Sequence, residues 1–198
     1  MEIFLPLVSY AFVTSITPGP NNIMLAASGV TFGFIRTIPH ILGIPLGFGI
    51  QLMLCATGLG ALLVSVPELS LGLKIIGSTY LIYLAWLLRS NVIGNSKGEA
   101  TKSEPMSLLN AALFQFVNPK AWIMAITGVS VFIPTLESFS LSVIMLTITF
   151  CTINVLCISL WALMGASLKK SLKNPKIEKI FSGVIVAMII YSAIAIWI

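Results

Sequence analysis

The chain contains no aspartate, only six glutamates and a single histidine, and charged residues make up 9% of its 198 positions. A water-soluble domain carries about a quarter of its residues as charges, so this chain cannot cover an aqueous surface. The glutamates, at positions 2, 68, 99, 104, 137 and 178, all fall in connections or at the ends of apolar segments. A carboxylate near the middle of a span, the usual proton or cation relay, is therefore missing. His40 is the one imidazole, which excludes a histidine-rich metal site. The three cysteines, Cys55, Cys151 and Cys157, lie in apolar segments with no CxxC pair, and the six-residue step from Cys151 to Cys157 puts them on different helix faces. They read as small buried side chains, so no metal or cofactor is expected. Walker, GxSxG and HExxH motifs are absent, which argues against ATP-driven transport by this chain alone and against enzyme chemistry.

What the chain has in abundance is hydrocarbon: 58% of its residues are hydrophobic and the mean hydropathy is +1.05. It reads as an all-α polytopic membrane protein. About twenty apolar residues cross a bilayer, and six such windows are present, at about 4–33, 38–65, 69–89, 107–133, 139–167 and 179–198. The first window is expected to be a retained span rather than a signal peptide, because no cleavage site followed by polar sequence interrupts it. The one long polar stretch, 90–106, divides a single transporter domain (1–198) into halves of about 1–90 and 106–198.

Basic residues alternate in placement. Connections one, three and five carry Arg36, then Arg89, Lys97 and Lys102, then Lys169, Lys170, Lys173, Lys176 and Lys179. The other side offers Glu2, Glu68 and Glu137, with Lys74 about one turn inside span three and able to snorkel outward. The positive-inside rule makes the odd connections cytoplasmic, 90–106 among them, and puts both termini outside. The net charge of +5 thus points to anionic lipid headgroups, not to nucleic acid. Three spans per half invert the second half relative to the first, the condition for a 3+3 inverted repeat. Lys74-Ile75-Ile76-Gly77 in span three and Lys179-Ile180-Phe181-Ser182-Gly183 in span six support the pairing.

Two helix breakers sit inside apolar windows one and four: Thr17-Pro18-Gly19-Pro20-Asn21-Asn22 and Asn118-Pro119-Lys120. Proline removes a backbone donor and clashes with the preceding turn. In hydrocarbon the freed backbone groups must find partners, so broken helices survive around a protein-lined site. Paired breaks in corresponding halves point to a transport site. Pro18, Gly19, Pro20 and Pro119 shape it. Lys120 is the one charge deep in a span and is the candidate anchor for a substrate carboxylate; the alternative is a lysine tied to freed carbonyls. Asn21 and Asn22 begin a new half-helix whose amides suit an anion, or else they cap the broken ends. Asn118 completes the substrate-binding set. Gln51, Gln115, Asn154 and the Thr147, Thr149 and Thr152 group are secondary polar candidates, since polar side chains in spans more often bond across helices. Gly43 to Gly47 reads as a close-packing face with a kink, and Tyr80, Tyr83 and Trp86 as packing or an interface belt.

These residues together resemble the LysE/RhtB amino-acid exporters. The resemblance rests on Thr17 to Asn22, Gly33-Phe34-Ile35-Arg36, Gly43 to Gly49 and Phe116-Val117-Asn118-Pro119-Lys120-Ala121-Trp122, and it covers the whole chain. It implies a secondary exporter, working by alternating access, in the inner membrane of a bacterium. Many members carry aspartate after the Pro-Gly-Pro, where this chain has Asn21. That form, with Leu54-Cys55-Ala56 and Gln115 to Asn118, is similar to the branch exporting cysteine and O-acetylserine, which implies a small neutral amino acid, with homoserine or threonine as variants. The expected partners are the amino acid, the lipid bilayer and, as one option, a second copy in a homodimer. A passive small-solute channel and a redox protein using the intramembrane cysteines are the alternatives.

Overall fold

A computed structural model describes residues 3–91, 104–133 and 138–197; the polar divider at 92–103 and the connection at 134–137 lie outside them. Among the described residues the chain forms nine α-helices and no strand. These are α1 (Phe4–Ile16), α2 (Pro20–Phe32), α3 (Phe34–Ala56), α4 (Leu59–Ser65), α5 (Pro67–Asn91), α6 (Leu108–Phe114), α7 (Pro119–Phe132), α8 (Phe139–Leu168) and α9 (Pro175–Ala195). A 3-10 turn, Gln115–Val117, extends α6 up to the second break. By length and composition, α3, α8 and α9 can each cross a membrane, and α4 with Pro67–Tyr83 of α5 forms a fourth candidate bent by 95°.

The prolines decide where the first and fourth apolar windows break. Pro20 and Pro119 each take the first position of a new helix, where a missing N–H costs nothing. Window two differs from expectation. Rather than one span to residue 65, α3 stops at Ala56, and Gly58 adopts φ 105° before the short α4 begins. Only glycine takes that left-handed backbone at little cost, so Gly58 turns the chain inside an apolar run. Pro39 and Pro45, by contrast, are accommodated within a continuous α3.

The long helices α3 and α8 pack against each other at the centre. Helix α6 lies along α3 and α7 joins it there, while α1 and α2 lie along α8. Helices α5 and α9 pair with one another on a flank. Phe150 of α8 anchors the centre, with Tyr10 edge-on at 5.6 Å and Phe48 tilted at 5.3 Å between ring centroids. The outside is apolar: Ile35, Ile148, Leu156, Ile180 and Tyr191 are exposed, as suits a lipid-facing surface. Tyr83 and Trp86 are exposed as well, whereas Tyr80 stacks on Phe114 at 4.9 Å.

Small residues let the helices touch backbone to backbone, the usual basis of helix association in lipid. A methyl group on Gly43 or Gly47 would strike the carbonyls of Leu108 or Ala112 in α6. One on Gly29 or Gly165 would strike Ala162 or Ala26 across the α2–α8 contact. Lys169 closes that contact at one end by donating to Thr31 O at 3.0 Å, which holds the start of the α8–α9 connection beside the end of α2.

Gly47→Val is therefore expected to destabilise the fold by about 1–3 kcal/mol through overpacking. Gly72→Ala, whose new methyl meets nothing within 4 Å, is expected to be neutral or slightly stabilising. Thermal unfolding in detergent compares the two variants.

Candidate functional site

Each break leaves backbone carbonyls without helical partners, and nearby side chains take them up. Thr17 at the end of α1 is extended, and its turn exposes the last carbonyls of the helix. The buried Asn22 Nδ2 donates to Ser15 O at 2.9 Å and Thr17 O at 2.8 Å, and Trp161 Nε1 donates to Ile16 O at 3.1 Å. At the second break, Gln51 Nε2 donates to Gln115 O at 2.8 Å and Trp122 Nε1 to Phe116 O at 2.9 Å. Asn118 is extended and begins α7, its own carbonyl accepting from Ala121 and Trp122. Proline at the next position suits that geometry, since the residue before proline is driven out of the helical region.

The two breaks are then clasped to each other. Asn21 and Gln115, 94 residues apart, exchange amide hydrogen bonds of 2.8 and 3.1 Å. Lys120 Nζ donates to Thr17 O at 2.8 Å, Thr17 Oγ1 at 3.0 Å and Pro18 O at 3.3 Å. Gly19 leaves room for the lysine: a Cβ there would sit 2.8 Å from Lys120 Cδ and push that flexible side chain aside. Every partner of the ammonium is a neutral oxygen.

A narrow cavity of about 20 Å³, room for roughly one water, lies between the breaks, with Ser15, Asn21, Gln115, Asn118, Lys120 and Asn154 among its walls. An amino acid needs more space than this conformation leaves there. On another side of Lys120 a larger groove of about 420 Å³ runs between α1, α7 and α9, past Tyr10, Thr17, Thr127 and Tyr191. The first turns of α2 and α7 both border the cavity, and neither has a side-chain cap. Two helix N-termini and an ammonium make it electropositive.

Of the eight residues expected from the sequence, Gly19, Pro20, Asn21, Asn22, Asn118 and Lys120 line the cavity, and Pro18 and Pro119 line the groove beside it. Asn22 has its amide committed to the end of α1, and Asn21 has its amide on Gln115. Gln115, a secondary candidate by sequence, is the hub: it touches Asn21, Asn118, Gln51 and Ala111 O. Ser15 carries no signal of its own in the sequence, and Thr17 stands in the first break motif without being singled out as a site residue. The three cysteines are free thiols, and none of them lines this cavity.

Two broken helices clasped to each other in an apolar helical bundle are the arrangement of a membrane transport site. Residues 12–198 match the LysE type translocators, and the chain belongs to that family. Among its relatives is the cysteine/O-acetylserine efflux protein of Escherichia coli O157:H7, 32% identical over 160 residues that cover 79% of each chain. Proteins of the same description from Escherichia coli K12 and Shigella flexneri serotype 5b are 31% identical over the same coverage. No solved structure is significantly similar to the chain.

If Asn21 and Gln115 hold the breaks together, their effects on stability are coupled. Asn21→Ala, Gln115→Ala and the double variant should show an interaction of about 0.5–3 kcal/mol in thermal unfolding. Additive losses would mean that the pair carries no clasp.

Proposed function

We propose that this chain is a six-span secondary exporter that carries small neutral amino acids out of the bacterial cytoplasm across the inner membrane by alternating access. The single observation that carries the reading is the position of Lys120. Its ammonium sits where the two breaks meet, held only by neutral oxygens of Thr17 and Pro18. A carboxylate that enters exchanges those weak acceptors for a full counter-charge, strengthened by the two helix N-termini. Among the described residues no acidic side chain lines the cavity, so none of them would balance a cationic side chain there. A neutral substrate follows, in keeping with the cysteine and O-acetylserine named for the relatives.

Two half-helices in series account for spans one and four. At 1.5 Å per residue, the 13 residues of α1 and of α2 cover about 20 Å each, so neither half crosses a core of about 30 Å alone but both together do. The pattern of packing supports the 3+3 inverted repeat. Exchanging α1, α2, α3 and α5 for α6, α7, α8 and α9 maps the principal helix contacts onto one another: α3–α6 onto α8–α1, α2–α8 onto α7–α3, with α3–α8 and α5–α9 each mapping onto itself. The side-chain latches follow the same exchange. Gln51 of α3 holds the end of the α6 segment, and Trp161 of α8 holds the end of α1.

For the orientation, with both termini outside, the bond from Lys169 to Thr31 is supportive, because it groups the first and fifth connections on one face. Lys74 lies over the ring of Trp197, near the other end of α9. In that orientation the groove beside Lys120 faces outward, and the narrow cavity is the site closed around nothing larger than water. Rocking of one half against the other opens it. Opening disturbs the Asn21–Gln115 pair and frees Asn21 and Asn118 for substrate, while Asn22 keeps the end of α1 intact.

The test is counterflow in proteoliposomes preloaded with small neutral or with cationic amino acids. Saturable counterflow is expected with a neutral one. Lys120→Ala should abolish it while the protein still inserts, since removing the partner of a buried charge costs about 2–5 kcal/mol in binding. Retained counterflow in that variant would sink the carboxylate-anchor reading.

A further inference from the structure

Two residues that line the narrow cavity, Asn118 and Asn154, each carry a buried side-chain Oδ1 with no hydrogen-bond donor. Both residues are almost wholly enclosed, at 2% and 5% exposure. Their amide nitrogens are engaged elsewhere, Asn118 Nδ2 towards Gln115 Oε1 at 3.4 Å and Asn154 Nδ2 towards Ser15 Oγ at 3.1 Å. In both residues the amide nitrogen is the bonded end and the oxygen the free one. Buried polar atoms without partners are uncommon in folded proteins, and each calls for an explanation.

We infer that Asn118 Oδ1 and Asn154 Oδ1 form the seat for the α-ammonium group of the substrate, so that the site reads both charged ends of a free amino acid. The inference rests on the exporter reading above and adds a role for Asn154, whose helix, α8, carries neither break. An ammonium has N–H donors and needs acceptors; the amide oxygens are acceptors with nothing else to bind. A bare metal cation would need the same oxygens, but beside Lys120 and two helix N-termini it would meet repulsion with no anion to offset it. A zwitterion brings its own carboxylate to Lys120 and turns its ammonium to the two asparagines that line the same cavity. The side chain then contributes little to recognition, and a free α-amino group becomes the entry requirement. An α-hydroxy acid of the same shape should be rejected, because it supplies one hydroxyl donor and no charge in place of the ammonium.

Counterflow of labelled L-serine, competed by unlabelled L-serine and by glycerate (the same skeleton with a hydroxyl for the ammonium), reads this out. The wild-type protein should take glycerate at least about 100-fold more weakly, as a site built on hydrogen bonds discriminates strongly against an analogue that lacks them. Asn154→Leu should weaken competition by serine at least tenfold, by the same loss of hydrogen bonds, and leave glycerate unchanged, so the preference collapses. Equal weakening of both would make Asn154 only a pin between α8 and α1 through Ser15, and would overturn the inference. If Asn154→Leu does not insert, Asn154→Asp keeps an acceptor oxygen in place and should hold or widen the preference; a narrowed preference would overturn it. A sodium requirement that disappears in the Asn154 variant while the serine preference stays would assign the oxygens to an alkali cation, again against the inference. The two readings fail separately. A wild-type protein that carries serine but accepts glycerate equally sinks the ammonium seat alone, whereas one that carries no neutral amino acid sinks the exporter reading beneath it.

Discussion

A backbone carbonyl or amide left without a partner in hydrocarbon costs several kcal/mol, and this fold is arranged around two places where prolines leave such groups. The side chains at the breaks are accounted for by that constraint. Asn22 and Trp161 take the last carbonyls of α1, while Gln51 and Trp122 take those at the end of the α6 segment. Once each break has been capped from a neighbouring helix, the breaks are fixed relative to α3 and α8. Asn21 can then meet Gln115, and Lys120 can reach Thr17 and Pro18. The electropositive pocket follows from satisfying the backbone; it needs no further device.

The same arrangement combines tight contacts with weak ones. Glycine-mediated contacts between α2 and α8, and between α3 and α6, bring backbones together with no room for a methyl group. They resist sliding, so in the proposed alternating-access cycle the helices they join would move together. The clasp is of another kind. It consists of one amide pair and one ammonium on neutral oxygens, bonds of modest strength that a carboxylate can replace. Tight packing elsewhere and a weak, exchangeable link at the breaks are what a carrier requires if its substrate is to drive the change between states.

Much of this was legible in the sequence, for physical reasons that differ by residue. Pro18 and Pro20 flank a glycine and run into two asparagines, and Pro119 stands between an asparagine and a lysine. Those clusters mark breaks in apolar runs, whereas the isolated Pro39 and Pro45 leave α3 continuous. Lys120 was visible because a charge in a span is costly. Gly43 and Gly47 announced a close contact by spacing, and they make one with α6. Gly58 is not legible: a glycine among apolar residues looks like any packing glycine until its backbone angle is known, so hydropathy alone runs the second span on to residue 65, past the end of α3 at Ala56. Gln115 was underrated for a related reason. Its importance comes from partners at positions 21, 51 and 118, and no local pattern encodes a meeting across 94 residues.

The central claim is that the meeting point of the two breaks is where substrate binds, reached from the groove between α1, α7 and α9. The most direct measurement places a single cysteine at Thr17, which lines that groove beside Lys120, in a protein whose three native cysteines have been replaced. Its reaction with a membrane-impermeant thiol reagent added outside is followed with and without a transported amino acid. The account predicts labelling from outside that slows as the amino acid saturates the site. Labelling that proceeds at the same rate whatever amino acid is present would contradict it.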